Sequence, residues 1–253
     1  MSPDPSRASV PGATLARQLA RLSGRAPARS APPPADLLGD WLDWQRAVAL
    51  SRALDLAPAE DVLAAADPSV DEALPEQARA VRAALEAAIA DDARDWTRPL
   101  RPRAGEDGTS AAAGADAVQR HCQGLQRDMQ AATGRLRGEL RECLERRDAA
   151  AARLAAVDAT MEGLLAPREH ALLAPLVPAL VTRFGQLHAR EGGAASAAQA
   201  DAVAAAPPDP HARRDWRDHF RAEARQLLLA ELDLRFLPIE ALLAALRTSR
   251  TDA

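Results

Sequence analysis

The sequence predicts an all-α protein, an elongated helical bundle with one very long central helix and a smaller N-terminal helical bundle. From Val118 to Leu165 apolar residues recur in steps of four and three, and no proline interrupts the run. Apolar residues make up 47% of the chain but aromatic residues only 3%, so the core must consist mainly of Ala and Leu. Such thin side chains favour extended packing of helix on helix. A helix of this length spans roughly 70 Å and serves as a bundle spine or as one strand of a coiled coil.

The apolar stripe of this predicted spine has one gap, at Arg147. Its members are Val118, Cys122, Leu125, Met129, Ala132, Leu136, Leu140, Cys143, Ala150, Leu154, Val157, Met161 and Leu164. A guanidinium is costly to bury alone, which leaves three alternatives at the gap. The helix is locally exposed there, or the acidic front half supplies a carboxylate, or a partner docks. We favour local exposure, with residues 141 to 151 as the least packed window.

Composition shifts predict the domain organisation. A basic tail with a short helix and a proline-rich linker is followed by an acidic helical subdomain, a flexible linker, a bundle of long helices with one internal loop, and a short tail. The predicted bounds are 1–34, 35–96, 97–115, 116–247 with a loop at 191–210, and 248–253. Residues 35 to 96 hold fourteen acidic side chains and five arginines, which makes this segment the acidic part of the chain.

The acidic segment carries two tryptophans close together, which are candidates for a core or for partner binding. Trp41 and Trp44 share a helical face with Leu37 and Val48, and we expect them to fill the core of the front bundle. The alternative is that they are exposed anchors for a partner. Trp41, Trp44, Arg146 and Arg147 are therefore the candidate partner-binding residues. A further helix is expected from about Pro75 to Trp96.

Prolines divide the back of the chain. Pro167 is expected to open a helix with an apolar stripe from Leu172 to Leu187, which Pro175 and Pro178 kink or break in its first half. The last helix should begin near Asp209 or Pro210.

All 32 basic residues are arginines, because the chain contains no Lys. This skew is typical of a GC-rich bacterial genome and is poor support for nucleic-acid binding. The net charge of −4 gives no general attraction to a polyanion. A possible basic stripe on the spine is interleaved with Glu139, Glu142, Glu145 and Asp148, which is typical of a salt-bridged helix surface. Its arginines are Arg135, Arg137, Arg141, Arg146, Arg147 and Arg153.

The motifs of common enzyme and metal sites do not occur in the sequence. HExxH, CxxC and GxSxG are absent, and a phosphate-binding GxxxxGK[ST] is impossible without Lys. Cys122 and Cys143 lie on one predicted helix about 30 Å apart, so they cannot pair within it, and we interpret both as buried apolar side chains. The sequence therefore predicts no enzyme, no metal and no cofactor.

The location of the chain is predicted from its hydropathy pattern. No window has 18 uninterrupted apolar residues, and the basic N-terminus lacks a continuous apolar core. We therefore expect no membrane span and no secretory signal, and a cytoplasmic protein. The oligomeric state stays open.

Three stretches resemble an uncharacterised proteobacterial family of helical proteins, a domain-of-unknown-function family. They are WLDWQRAVALSRAL at 41–54, RLAAVDATMEGLLAPREHALLAPLVPAL at 153–180 and LLLAELDLRFLPIEALLAALR at 227–247. The family supplies no catalytic residues. The resemblance implies an accessory role at the cell envelope, because members are often encoded near envelope proteins with OmpA-like peptidoglycan-binding domains.

The predicted function is that of a non-enzymatic interaction or scaffold protein, and the resemblance implies that it is accessory to a bacterial cell-envelope complex. The expected partner is a protein, for example an inner-membrane or envelope protein. An Arg-rich nucleic-acid-binding protein is the alternative, and phosphate contacts would then make binding steeply dependent on salt.

Overall fold

The computed structural model describes residues 11–22, 44–55, 68–91, 109–201 and 210–248, with side chains over most of these ranges. The backbone of these residues is helical apart from short breaks and contains no strand, which confirms the predicted all-α class. The helices are α1 (Pro11–Leu22), α2 (Trp44–Leu54), α3 (Pro68–Ala90), α4 (Thr109–Arg147), α5 (Ala149–Leu173), α6 (Leu176–Asp201) and α7 (Pro210–Thr248). Trp41 lies outside the described residues, as do the predicted tails for the most part.

The chain forms two compact units, each assembled from three separate segments. The first unit comprises Met1–Pro27, Ala87–Arg127 and Ala174–Glu231, and the second comprises Ala28–Glu86, Asp128–Leu173 and Leu232–Ala253. Helices α3, α4 and α7 each contribute residues to both units. The domain bounds predicted from composition are not tested by this division and stay predictions.

The apolar stripe predicted for the spine is confirmed in its first half. Its members from Val118 to Cys143 are buried in α4, apart from the half-buried Ala132. The second half of the stripe is not buried as predicted, because Ala150 and Leu154 are exposed. The residues of α5 that are buried instead are Ala151, Ala152, Ala155 and Leu173.

The predicted continuous helix from Val118 to Leu165 is wrong at one residue, Asp148. Helix α4 ends at Arg147 and α5 begins at Ala149. The Asp148 carboxylate accepts hydrogen bonds from the backbone N–H groups of Ala150 and Ala151, at 2.9 and 2.8 Å. Its carbonyl accepts the N–H of Ala152 at 2.9 Å. Asp148 is therefore the N-cap of α5, and the cap satisfies the donors that a new helix leaves open.

The chain reverses direction at this cap. The Arg137 guanidinium donates to the Asp158 carboxylate at 2.7 Å. In one straight helix these residues would lie roughly 32 Å apart. The C-terminal part of α4 and helix α5 therefore form a helical hairpin within the second unit.

Other predicted boundaries shift for local reasons. Helix α4 begins at Thr109, within the segment 97–115 that is predicted as a linker, and residues 92–108 lie outside the described part of the chain. Helix α6 continues to Asp201, inside the predicted 191–210 loop. Helix α3 begins at Pro68 rather than Pro75, because proline is well tolerated in a first helical turn.

The next boundaries also lie near prolines, but not all of them where they were predicted. Pro167 lies inside α5 instead of opening a helix. The break falls at Ala174 and Pro175, and α6 starts at Leu176. Helix α7 begins at Pro210 as predicted, and Pro238 is accommodated within it.

Each unit has its own buried core. In the first unit Phe184 of α6 packs edge-on against Phe220 of α7, with ring centroids 5.4 Å apart. Trp216 lies 5.5 Å from Phe184, and Arg183 makes a two-pronged ion pair with Glu223 at 2.8 Å. In the second unit the buried side chains come from all the helices that contribute to it, and they include Ala53, Leu74, Leu85, Met129, Leu136, Leu140, Leu144, Ala155, Leu173, Phe236, Ile239, Leu242 and Leu246.

Candidate functional site

The large apolar side chains that remain exposed in the described part of the chain all belong to the second unit. Trp44 is 82% exposed and Leu54 56% exposed on α2, and Leu154 and Leu172 are 39% and 41% exposed on α5. Leu237 of α7 is the fifth, at 37%. The prediction that Trp44 fills a core is therefore wrong, and its placement agrees with the alternative of an exposed aromatic anchor.

Four of these five exposed side chains are carried by two helices, α2 and α5. They pack against each other, and Ala53 is the buried residue of α2. A helix of 11 residues is roughly 16 Å long, whereas the 25 residues of α5 span roughly 37 Å. Helix α2 is thus too short to cover α5. We call Trp44, Leu54, Leu154 and Leu172, with the exposed arginines Arg52, Arg153 and Arg168, the α2–α5 surface.

The side of α5 that carries Asp158 and Glu162 holds an ion cluster. Arg137 and Arg141 of α4 donate to both oxygens of Asp158, over distances of 2.7 to 2.8 Å. Both arginines also pair with Glu162, Arg137 at 3.3 Å. The exposed fraction of the two arginines and of Asp158 is 13% to 17%, so this cluster is largely withdrawn from water.

The cluster fixes the ionisation of Asp158. Burial raises the pKa of this carboxyl, but the hydrogen bonds and charges of Arg137 and Arg141 outweigh burial and hold the pKa below its ordinary value. Asp158 therefore stays ionised, and the hairpin is held by charge-assisted hydrogen bonds.

The gap residue Arg147 contacts a helix end. Its guanidinium donates to the carbonyl of Leu246 at 2.7 Å, in the last turn of α7. Carbonyls in the last turn of a helix lack intrahelical partners and carry partial negative charge, so a guanidinium is stabilising there. The favoured expectation of local exposure is therefore wrong. Arg147 is half-buried, and Cys143, Leu144 and Ala151 around it are buried.

Replacing Arg147 by leucine should lower the free energy of unfolding by about 2 kcal/mol, because the hydrogen bond to the Leu246 carbonyl involves a charged donor. Urea denaturation of the full chain measures this loss. The matched control is Arg153→Leu, since Arg153 is exposed and donates within its own helix, to Ala149. An Arg147→Leu protein as stable as the wild type would restore the exposure interpretation.

Arg146, the other arginine predicted to bind a partner, is half-buried in the last turn of α4. Of the six arginines in the possible nucleic-acid stripe, Arg137, Arg141 and Arg147 contact other helices of the chain. The prediction of a salt-bridged helix surface describes these contacts better than a basic stripe does.

Both cysteines are buried in α4, as predicted. Cys122, in the first unit, is fully enclosed, and burial raises the pKa of its thiol to about 12, with a smaller contribution from the Glu231 carboxylate. Glu231 is itself 0% exposed and accepts a hydrogen bond from Gln126 at 3.0 Å. His121 next to Cys122 has its pKa lowered by burial, although Asp91 acts in the opposite direction.

Neither thiol should react with Ellman's reagent in the folded protein. At pH 8 only about one Cys122 in ten thousand would be a thiolate, and the thiolate is the reactive form. The absorbance of the released thionitrobenzoate should correspond to less than one thiol per chain after several hours. In guanidinium, which unfolds the chain, it should correspond to two thiols at once. Rapid reaction of either thiol without denaturant would contradict the buried placement.

No group of three or more His, Cys, Asp or Glu side chains within the described residues is arranged to hold a metal ion. One described stretch, Ala149–Glu191, is long and apolar enough to cross a membrane by length and composition, and only 22% of its most apolar window is buried. Core helices of soluble proteins pass the same test, so the expected absence of a span stays a prediction.

The site residues that sequence reasoning missed are the exposed leucines of α2 and α5. Leu154 lies on the heptad stripe, which predicted burial. The signal that would have corrected this is Asp148 followed by a run of alanines, the pattern of a helix N-cap. A new helix at Asp148 allows α5 to turn a different face toward α4.

The described chain is thus an all-α protein of two helical units, with an exposed apolar surface on one of them and with ion pairs that hold its own helices. It belongs to the DUF3348 family, a family of proteins of unknown function, whose model matches residues 1–248. This confirms the predicted membership of a domain-of-unknown-function family. No curated protein and no solved structure shows a significant match to the chain.

Proposed function

We propose that the protein is a non-enzymatic helical interaction protein, located in the bacterial cytoplasm and accessory to a cell-envelope complex. The observation that carries the proposal is the α2–α5 surface, where Trp44 and three leucines are exposed. Large apolar side chains exposed on two helices that pack together are candidates for an interaction site. An inner-membrane or envelope protein is the partner expected from the sequence.

The packing of the second unit supports a binding surface rather than an incompletely folded region. The face of α5 next to Leu154 and Leu172 is held to α4 by the cluster around Asp158, and Arg235 of α7 pairs with Glu169 of α5 at 3.2 Å. Leu154 and Leu172 are therefore presented by a helix that is fixed in place. A rigid element lowers the entropic cost of association.

Fractionation of cells of the native host tests the proposal. The tagged chain should sediment with the envelope, and the double variant Trp44→Ser/Leu154→Ser should move to the soluble fraction. Leu237→Ser is the control, because Leu237 is about as exposed as Leu154 but lies on α7. A wild-type chain that stays in the soluble fraction, or a double variant that sediments like the control, would contradict the proposal.

The alternative of nucleic-acid binding has less support, since Arg137, Arg141 and Arg147 already contact acidic or carbonyl groups of the chain itself. A gel shift with duplex DNA at increasing salt separates the two functions. A nucleic-acid binder would give a shift that weakens steeply with salt, and an interaction protein of the proposed kind would give none.

A further inference from the structure

We propose that helix α1 is a detachable strap of the first unit, which opens while the rest of the unit stays folded and so controls access to the side of α6 that it covers. Helices α1 (Pro11–Leu22) and α6 (Leu176–Asp201) both belong to the first unit and pack against each other. The strap is independent of the α2–α5 surface and of the proposed function.

Helix α1 is too short to be stable by itself. It has 12 residues, and isolated helices of that length are marginal in water even when they are rich in alanine. In proteins most of the stability of such a helix comes from the packing of its apolar face. Helix α1 is therefore held in place by its contact with the unit, and it unfolds when that contact opens.

The apolar contact of α1 is concentrated in one side chain. Among the described side chains of α1, Leu15 is fully enclosed, at 1% exposed, whereas Leu19 and Leu22 on the same face are half-buried. Elsewhere in the unit, α6 and α7 bury Phe184 and Phe220 against each other. Hydrophobic stabilisation grows with the apolar area that is buried, so α1 is held more weakly than α6 and α7 hold each other.

A buried polar atom on α1 weakens the contact further. The Oε1 atom of Gln18 is shielded from water and accepts no hydrogen bond from the residues that the structure describes. A buried acceptor without a donor has lost its hydration without compensation, which disfavours the docked position of α1. Once α1 opens, the Gln18 amide is hydrated again. The open state is therefore favoured by the same side chain that the docked state leaves unpaired.

Hydrogen exchange of the full-length chain, read by mass spectrometry, tests the strap. The amides of α1 should be protected, but they should exchange at least about a hundredfold faster than those of α6 and α7 around Phe184 and Phe220. The reason is that elements with few buried apolar contacts open without global unfolding. Trypsin should also cleave after the exposed Arg17 at a rate that follows the open population, since a helix must unfold locally to be cut.

The first variant tightens the strap. Gln18→Leu should slow both the exchange of α1 and the cleavage after Arg17 about tenfold, because it removes the unpaired acceptor and keeps an apolar side chain of similar size. The matched control is Gln123→Leu, since Gln123 is exposed on α4 in the same unit. The control should leave both rates unchanged.

The second variant loosens the strap. Leu15→Ser should accelerate both rates at least about tenfold, because α1 loses its one enclosed side chain. It should also raise the fluorescence of anilinonaphthalenesulfonate, a dye that binds exposed apolar surface. The matched control is Ala16→Ser, at an exposed position of α1, which introduces the same serine and should change the rates less than about threefold. The main urea transition should stay where it is in both proteins.

Rates in this order, with an unchanged urea transition, support the strap. A wild-type α1 that exchanges as slowly as α6, or a Leu15→Ser protein in which α6 and α7 lose protection together with α1, would show that α1 is an integral part of the core. Amides of α1 without any protection would show that it does not dock. A Gln18→Leu protein in which α1 exchanges as fast as in the wild type, or a Leu15→Ser protein that binds no more dye than Ala16→Ser, also overturns the proposal.

Discussion

Replacing Phe220 by alanine is expected to lower the free energy of unfolding by about 3 to 5 kcal/mol, the largest loss that we predict for any single substitution. Phe220 is 0% exposed and packs edge-on against Phe184, which is itself buried. An alanine removes this aromatic contact and leaves a cavity in a core that contains few other aromatic side chains. Urea denaturation measures the loss.

The control for Phe220→Ala is Leu237→Ala, which removes an exposed apolar side chain from the same helix, α7. The control should change the free energy of unfolding by less than about 1 kcal/mol. A Phe220→Ala protein that unfolds at the same urea concentration as the control would show that the first unit is not packed around this residue.

Replacing Asp158 by alanine is expected to lower the free energy of unfolding by about 3 kcal/mol, because it leaves two largely buried guanidinium groups without their main acceptor. Glu162 remains near both arginines and limits the loss. The matched control is Asp218→Ala, since Asp218 pairs with Arg221 in the more exposed setting of one helix face. Exposed pairs contribute at most about 1 kcal/mol. Equal losses for the two variants would show that the cluster is solvated.

The free energy of unfolding of the wild type and that of Asp158→Ala should depend differently on pH. Hydrogen bonds from Arg137 and Arg141 hold the pKa of Asp158 below its ordinary value, despite the opposing effect of burial. A carboxyl whose pKa is lowered on folding stabilises the protein fully above its unfolded pKa, which is about 4. That contribution is lost as pH falls through the lower pKa of the folded state. The stability difference between the wild type and Asp158→Ala should be constant from neutral pH to about pH 5 and should shrink below about pH 4.

The all-α class of the protein and the apolar stripe along α4 could be predicted from the sequence, because both depend on local periodicity. The side chains from Val118 to Cys143 keep one face of a helix apolar, and that face is buried as predicted, with Ala132 half-buried. The start of α7 at Pro210 was also predictable, since proline fits the first turn of a helix.

The hairpin could not be predicted from periodicity alone. The heptad spacing continues through Asp148, and a continuous helix and a capped break satisfy that pattern equally well. The choice depends on contacts between residues far apart in sequence, such as Arg137 with Asp158 and Arg147 with the carbonyl of Leu246. Tertiary ion pairs of this kind have no periodic signal in the sequence.

The α2–α5 surface also could not be predicted, because its exposure depends on contacts between residues far apart in sequence. Trp44 and Leu154 are large and apolar, and a pattern shows that such residues share a face but not whether another element covers that face. Coverage depends on the length of α2 relative to α5 and on the direction that α5 takes after Asp148. The helices that carry the candidate site could therefore be predicted from the sequence, but the exposure of its residues could be found only from the structure.

A distance between spin labels at positions 135 and 159 tests the hairpin most directly, and the α2–α5 surface depends on that hairpin. Arg135→Cys and Ala159→Cys place the labels at exposed positions of α4 and α5, while Cys122 and Cys143 are buried and should stay unlabelled. Pulsed electron paramagnetic resonance should give a distance below about 25 Å, because residues next to these positions are ion-paired across the hairpin. A distance of about 36 Å or more would indicate one continuous helix through Asp148 and would contradict the account.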